Sequence, residues 1–296
     1  MHVWVGAVFV MWVACASSCT PRPVAAPTAP GPIIDLDTRA TGLSGLTRDA
    51  SGALWAVSDH GTAIVRIEPD TFHTRIYAIS GTPDGTDLEA LAWVAETRFL
   101  VGTETQQAGR ATDVLLEGFL EGRRFQLHRR EDFVYARWGL VASVNHGIEG
   151  LCHVDGHVIL ATELVDERDG RRQAPVAMLD LETGTWTTRR IALTTDTGKL
   201  SAVGCRVIDG EIVALAVERH FGVARLLRFR LTHEPSEALI EPEVAADLSK
   251  SIRPLPNFEG VVWNDDGSVV LLTDNYYRGR VTGPSRLYFV PASTLQ

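Results

Sequence analysis

The sequence predicts an all-β protein of the β-propeller class, and three observations lead to this prediction. A short pattern recurs five times at intervals of 45 to 60 residues: an apolar residue, Ser or Glu, Gly or Ala, and a second apolar residue. Each copy continues through a turn into another apolar run that ends in an acid. The 26 glycines and 14 prolines are spread through the chain, and the long leucine-rich stretches of a helical bundle are missing. Repeats of this period are typical of propeller blades and other repeat arrays.

The N-terminal segment has the features of an export signal. Residues 3–16 form an apolar run of signal-peptide length, too short to span a bilayer of about 30 Å. Small residues lead into Cys19, which predicts a lipoprotein-type signal over 1–18 with Cys19 as the lipidated first residue. An ordinary cleaved secretion signal is the alternative. Residues 19–32 are predicted to be a proline-rich tether. We therefore expect an exported protein, either lipid-anchored to the outer membrane or periplasmic, that contacts the membrane only through the anchor.

Residues 33–296 are predicted to form the propeller domain. The pattern begins at 43, 88, 148, 200 and 258, and Asp-Gly turns join the two apolar runs in several copies. Further strand-like runs follow, which gives four strands per copy and five four-stranded blades. The last copy lacks an outer strand, and residues 33–37 are predicted to supply it by pairing with 286–290. Six blades would require a sixth copy within 131–145, which lacks the pattern and is predicted to be a long loop.

Composition and charge exclude several classes of function. The chain has 28 basic and 37 acidic residues, a net charge of −9, and its only lysines are Lys199 and Lys250. This composition argues against a lysine nucleophile and against a polybasic nucleic-acid surface. We expect no nucleic-acid partner and a monomer. Cys152 and Cys205 are too few for a disulfide scaffold. They could pair in an oxidising compartment, but their apolar strands favour two buried thiols.

The repeats concentrate acidic residues on one face. In an antiparallel hairpin, the start of the first strand and the end of the second lie at the same end. Ser44 and Ser201 should therefore share one channel mouth with eight carboxylates, which we predict as metal ligands: Glu89, Glu149, Glu259, Asp59, Glu104, Glu163, Glu218 and Asp274. Calcium suits such a site because it takes 6–8 oxygen ligands. The alternative is a metal-free structural role, in which the acids accept backbone N–H groups or pair with arginine.

The order Ser44, Glu89, Glu149, Ser201, Glu259, with acids closing the second strands, resembles the SdiA-regulated and the phytase-like (esterase-like activity of phytase) propeller families. The resemblance spans about residues 40–290. It implies calcium-dependent hydrolysis of phosphate or other esters, with Arg219, His220 or Arg278 binding the anionic group of a small ester substrate. The competing hypothesis is a non-catalytic envelope propeller that binds a protein or glycan partner, because the fold alone cannot decide between the two.

Overall fold

The computed structural model describes residues 1, 31–60, 63–107, 109–232, 236, 238–277 and 279–295. The predicted signal peptide, Cys19 and Arg278 lie outside the described residues. Within the described ranges the secondary structure is β-strand with three short 3-10 turns, at Tyr135–Trp138, Leu248–Lys250 and Ala292–Thr294. No helix among the described residues is long and apolar enough to cross a membrane. The predicted all-β class is therefore confirmed.

The first two repeats form one eight-stranded sheet. Its first half is β2 (Leu43–Arg48), β3 (Leu54–Ser58), β4 (Ala63–Ile67) and β5 (Thr74–Ser80). Its second half is β6 (Thr86–Ala95), β7 (Arg98–Thr105), β8 (Thr112–Glu121) and β9 (Arg124–Val134). Each half is an antiparallel four-stranded unit in chain order, and the two outer strands β5 and β9 pair in parallel. Strand β9 reaches residue 134, so the predicted loop over 131–145 was wrong for its first four residues.

The third and fourth repeats form separate sheets. The third contains β10 (Ile148–Val154), β11 (His157–Thr162), β13 (Arg171–Asp180) and β14 (Trp186–Ala192), with the short strands β12 (Asp166–Arg168) and β18 (Leu239–Ile240) at its margins. The fourth contains β15 (Lys199–Ile208), β16 (Glu211–His220), β17 (Val223–Leu231) and β19 (Glu243–Asp247). Their inner hairpins turn at Asp155-Gly156 and Asp209-Gly210, where all four residues have positive φ, as the tight Asp-Gly hairpin requires.

The last sheet combines both ends of the domain. It contains β20 (Asn257–Trp263), β21 (Val269–Asp274), β24 (Arg286–Val290) and β1 (Ile33–Asp35), while β22 (Tyr276–Tyr277) and β23 (Arg280–Val281) form a small separate ladder. Strand β1 pairs antiparallel with β24, with Ile33 opposite Tyr288. The predicted closure by the N-terminal strand is therefore confirmed. It removes an open sheet edge, which is a common site of aggregation.

The five innermost strands contact one another in a closed cycle. The order is β2, β6, β10, β15 and β20, and β20 returns to β2. Small residues allow this approach: a Cβ added at Gly45 would lie 2.6 Å from the Leu91 nitrogen, and one at Gly150 would lie 2.6 Å from the Val203 nitrogen. The grouping of strands follows the five sequence repeats. The number of blades stays a prediction, because the first two units share one sheet.

The apolar cores lie between neighbouring units. Leu43 and Val65 of the first unit pack with Leu272 and Leu287 of the last, so burial of apolar surface reinforces the closure by β1. Cys152 on β10 and Cys205 on β15 form a disulfide with a Cα–Cα distance of 5.8 Å. The expectation of two buried free thiols was therefore wrong: the cysteines face each other across neighbouring inner strands, a proximity that strand patterns within one blade do not reveal.

Candidate functional site

Each inner strand carries an irregularity at or directly after the Ser or Glu of its repeat. The pairing between the first and second strands shifts register at this residue in four units, between Leu88/Ala90, Ile148/Gly150, Leu200/Ala202 and Phe258/Gly260, and directly after it in the first unit, between Ser44/Thr47. Such bulges insert an extra residue and re-aim its side chain. The repeated motif therefore encodes a bulge that sets the direction of Glu89, Glu149 and Glu259.

The two serines at this position have a structural role. Ser44 Oγ donates a 2.8 Å hydrogen bond to the Glu89 carbonyl oxygen, and Ser201 Oγ donates a 2.7 Å bond to the Phe258 carbonyl oxygen. Each hydroxyl thus links its inner strand to the next one in the cycle. At this position of the repeat, the first and fourth units have a serine that links two inner strands by a hydrogen bond. The other three units have a carboxylate there.

In four repeats the acid at the end of the second strand has the same position relative to the first strand. Leu88 pairs with Thr103 and Ile148 pairs with Thr162, and the acid follows the threonine in each case, as Glu104 and Glu163. Asp59 and Asp274 follow Ser58 and Thr273 in the same way. These four acids are therefore equivalent in the fold, as the repeat predicts.

The fourth repeat is offset by one residue. Leu200 pairs with Glu218 itself, so Glu218 stands where the other repeats have Ser or Thr, and Arg219 stands where they have the acid. The Glu218 carboxylate is fully buried and accepts hydrogen bonds from the Thr194 and Thr195 backbone nitrogens, at 3.1 and 3.0 Å, and from both hydroxyls. The structure does not bring Glu218 to the other acids. Glu218 belongs to neither carboxylate triad among the described residues and holds the loop before β15, and its role as a metal ligand stays a prediction.

The remaining acids meet at one mouth of the channel. Asp87, Glu89 and Glu104 each offer an oxygen within 4.8 Å of the others, and so do Glu104, Glu149 and Glu163. Glu104 belongs to both triads. Among the described residues, no Lys or Arg forms an ion pair with Asp87, Glu89, Glu104 or Glu149. We refer to Asp87, Glu89, Glu104 and Glu149 as the acidic half of the site.

The other side of the mouth is neutralised by the protein itself. Arg219 forms an ion pair with Glu259 and lies 3.7 Å from Glu163, while Lys199 forms an ion pair with Glu163. Lys199 and Arg219 are direct cross-strand partners on β15 and β16. We refer to Lys199, Arg219, Glu163 and Glu259 as the paired half of the site.

Two amides connect the acids to each other. Gln106 Nε2 donates to Asp87 Oδ2 at 3.0 Å and to Glu104 Oε1 at 2.8 Å. Asn257 Nδ2 donates to Glu259 Oε1 at 2.7 Å and to Asp274 Oδ2 at 3.1 Å. Sequence reasoning missed both amides, and it also missed Asp87 and Lys199 as members of the site. Asp87, Lys199 and Asn257 share a signal that could have identified them, because each directly precedes the apolar residue that opens its repeat.

Six carboxyl groups of the site have raised pKa values. Burial raises the pKa of Glu104 to about 7, with the Glu163 carboxylate as the next cause. Burial also raises the pKa of Glu259 to about 8, although Arg219 opposes the shift, and the pKa of Asp59 to about 6. The pKa values of Glu89, Glu149 and Asp274 are raised by burial as well. Buried like charges disfavour ionisation, so the site has a high affinity for positive charge.

The predicted anion-binding residues Arg219 and His220 differ in their contacts and charge. The Arg219 guanidinium forms ion pairs with Glu163 and Glu259. His220 lies beside it at the rim, where burial, Lys199 and Arg219 lower its pKa, so the imidazole is neutral near pH 7. His60 is also at the rim, with Nδ1 3.4 Å from Asp59 Oδ1 and its ring edge-on to Tyr276. The anion-binding roles of Arg219 and His220 stay predictions.

The donor set fits a calcium-type ion. Two oxygens bound to one calcium at about 2.3–2.6 Å are at most about 5 Å apart, a limit that both triads satisfy. Glu259 is only 6% exposed, and its Oε2 atom has no hydrogen-bond partner among the described residues. A buried oxygen without a partner carries a desolvation cost, so Glu259 retains a possible ligand atom although Arg219 engages its other oxygen.

Comparison with known proteins supports the fold and the family. No curated protein matches the sequence. Among solved structures, a glucose dehydrogenase is similar with a TM-score of 0.51 at 13% identity, covering 88% of this chain and 100% of that one. The PQQ-bound aldose sugar dehydrogenase from Streptomyces coelicolor has a TM-score of 0.46 at 12% identity, with 90% and 99% covered. These neighbours are β-propeller proteins, and the likeness to the glucose dehydrogenase, at 13% identity, shows the fold alone.

The family profile matches most of the chain. The phytase-like family, described as esterase-like activity of phytase, is matched over residues 38–276. This range contains all five inner strands and every described acid of the site. Membership of the SdiA-regulated group stays a prediction. On the evidence of this match, together with the propeller fold, the chain belongs to the phytase-like (esterase-like activity of phytase) family.

Proposed function

We propose that this protein binds a calcium-type divalent cation at the channel mouth and uses it to hydrolyse a phosphate or other anionic ester. The observation that carries the proposal is the pair of carboxylate triads sharing Glu104, because among their five acids only Glu163 forms an ion pair with a described Lys or Arg. Asp87, Glu89, Glu104 and Glu149 would hold the ion. Oxygen donors in flexible geometry are the ligands that calcium prefers.

The residues of the site have distinct tasks in this proposal. A bound divalent cation supplies Lewis acidity and lowers the pKa of a coordinated water. Gln106 keeps Asp87 and Glu104 at a fixed separation by bonding both. Lys199 and Arg219 hold Glu163 and Glu259 in place and reduce the negative charge that an anionic ester would meet. The neutral imidazole of His220 at the rim can donate a hydrogen bond to the ester as it enters.

We also propose that the protein acts outside the cytoplasm, anchored by a lipid on Cys19 or free in the periplasm. The disulfide between Cys152 and Cys205 supports this location, because disulfides persist in oxidising compartments. A signal-like N-terminus and a structural disulfide are independent features of the sequence and the fold, and both favour export. The net charge of −9 favours no nucleic-acid partner.

A non-catalytic envelope propeller is the second candidate function. Two loops present apolar side chains to solvent: Phe221 is 80% exposed in the turn after β16, the strand of Arg219, and Val141 is 85% exposed in the loop before β10, the strand of Glu149. A contiguous apolar patch rimmed by polar residues is typical of a surface that binds a partner, and in this alternative these side chains would contribute to one. In this alternative the acids serve only the structure of the ring.

Calcium titration of the purified protein tests the first candidate. We expect calcium to raise the melting temperature and a chelator to reverse the effect, because an ion that binds only the folded state stabilises it. Glu89→Gln and Glu149→Gln should abolish the shift. Glu121→Gln, which removes an exposed carboxylate on the β8–β9 hairpin, should retain it.

Turnover is measured on the same four proteins with phosphomonoesters, carboxylesters and lactones. Loss of hydrolysis in parallel with calcium binding would support the enzyme. A calcium shift without turnover of any ester would favour the envelope module, and the absence of both would contradict the cation site.

A further inference from the structure

We infer that Arg219, assisted by Lys199, is a built-in counter-ion that takes the place of a second metal ion, and so confines cation binding to the acidic half of the site. The inference rests on the proposed cation site and goes beyond it, because it states how many ions the mouth holds and which residue limits the number. Three features of the fourth repeat and its neighbours carry it.

The first feature is the register. Arg219 occupies the position that four other repeats fill with an acid, namely Asp59, Glu104, Glu163 and Asp274. The same repeat has Ser201 at the bulge and Lys199 one residue before the motif. The fourth unit therefore supplies two positive charges and no carboxylate to the mouth, on a backbone that follows the pattern of the others.

The second feature is the pairing. The Arg219 guanidinium bridges carboxylates from two different units, Glu163 of the third and Glu259 of the fifth. Lys199 completes the charge balance at Glu163. Together, the Arg219 guanidinium and the Lys199 ammonium supply the two positive charges that a divalent ion between the carboxylates would supply, with a fixed geometry and without dissociation.

The third feature is an unused ligand atom. Glu259 Oε1 accepts hydrogen bonds from Arg219 and from Asn257, whereas its Oε2 atom is buried and has no partner among the described residues. Arg219 Nε is likewise without a partner. The paired half thus retains carboxylate oxygens that could serve as ligands and is closed to a metal ion by the arginine, not by a lack of oxygen donors.

Replacing the arginine by the residue of the other repeats should open a second site. We expect isothermal titration with calcium to give one ion per chain for the wild type and two for an Arg219→Glu, Lys199→Gln double variant, with inductively coupled plasma mass spectrometry of the dialysed proteins as an independent count. Arg230→Gln, which removes an exposed guanidinium on β17, is the matched control and should bind one. Folding of each protein is verified in calcium by circular dichroism.

The number of calcium ions bound by the wild type tests the proposed cation site. The additional ion expected in the double variant tests the role of Arg219 as a counter-ion. One ion in both folded proteins would overturn the inference and leave the proposed function intact. No ion in the wild type and one in the double variant would contradict the proposed function and support the inference. Two ions in the wild type would overturn the inference.

A second variant keeps the inference testable if the double variant does not fold. Glu259→Gln changes a carboxylate that Arg219 already engages, so the calcium affinity of the otherwise wild-type protein should stay within about twofold. Glu89→Gln removes a ligand of the acidic half and should weaken binding at least about tenfold. Equal losses in the two variants would show that Glu259 also holds the ion, and would overturn the inference.

Discussion

The acidic half and the paired half of the mouth are built on the same backbone and differ in charge. In the second and third units a bulge presents Glu89 and Glu149, and the following strands add Glu104 and Glu163. In the fourth unit the equivalent bulge presents Ser201, and the next strand adds Arg219. The repeated geometry therefore fixes where side chains meet, while the residue at each position decides whether the place is open to a cation or already filled.

The two halves of the mouth differ in how buried negative charge is balanced. Raised carboxyl pKa values in the acidic half indicate charges that the fold tolerates at a cost, and such costs are common at functional sites. In the paired half burial raises the pKa of Glu259 as well, to about 8, but Arg219 opposes the shift, and Lys199 and Arg219 supply positive charge from the protein itself. A ring with five acidic units would depend on metal ions for its stability, and the basic unit reduces that dependence.

The largest expected effect comes from removing the counter-ion. Arg219→Gln leaves Glu163 and Glu259 buried with one positive charge fewer, and losing one partner of a buried pair costs about 3–5 kcal/mol. Urea unfolding at pH 8 without calcium measures the change. Arg230→Gln should cost less than about 1 kcal/mol, because its ion pair is on the surface. A small loss in both variants would contradict the role of Arg219.

The next effect concerns the link between the two halves. The Cys152–Cys205 disulfide joins β10 of the third unit to β15 of the fourth across 53 positions of sequence. Replacing both cysteines by alanine should lower the free energy of unfolding by about 2–4 kcal/mol, chiefly because the unfolded chain gains conformational entropy. Calcium affinity should change less than about twofold, since neither cysteine touches the acids. A large loss of affinity would show that the disulfide positions the site.

Much of the fold could be predicted from the sequence because its signals are local and repeated. The five motifs, the Asp-Gly turns and the unpaired strand at 33–37 sufficed to predict the inner strands and the closure that β1 and β24 form. Most of the predicted acids meet at one mouth for the same reason, since hairpin geometry alone places Glu89 beside Glu104 and Glu149 beside Glu163.

The charge balance of the site could not be predicted because bulges break the two-residue alternation of a strand. One extra residue per inner strand changes which neighbours share a face, so Glu218 was aligned with Glu163 although Arg219 is its true equivalent. Lys199 was missed as a partner of Glu163 because their contact joins different units. The disulfide was missed for the same reason, because its cysteines are on separate inner strands.

A smaller effect is the pH dependence that the acidic half imposes. The pKa of Glu104 is about 7 in the folded protein and near its ordinary value when unfolded, so between about pH 4.5 and 8 the folded state binds more protons. Without calcium, this contribution to stability should be fully present below about pH 4.5 and be lost as pH rises, on the order of 1–3 kcal/mol by pH 8. Urea unfolding across this range measures it. Saturating calcium should reduce the slope, and a slope of opposite sign would contradict the raised pKa values.

The smallest expected effect is that of Glu149→Gln, which tests whether this pH dependence of stability arises in the acidic half. Burial and the neighbouring Glu163 carboxylate raise the pKa of Glu149, so ionising it is unfavourable in the folded state. Glu149→Gln should change stability least at pH 4, below the ordinary pKa of the carboxyl group, and raise it by about 1 kcal/mol at pH 9 in the absence of calcium. Glu121→Gln, on an exposed turn, should change stability at neither pH. If Glu149→Gln instead destabilised the protein at both pH values, Glu149 would contribute to folding through its hydrogen bonds, and the acidic half would be as structural as the paired half.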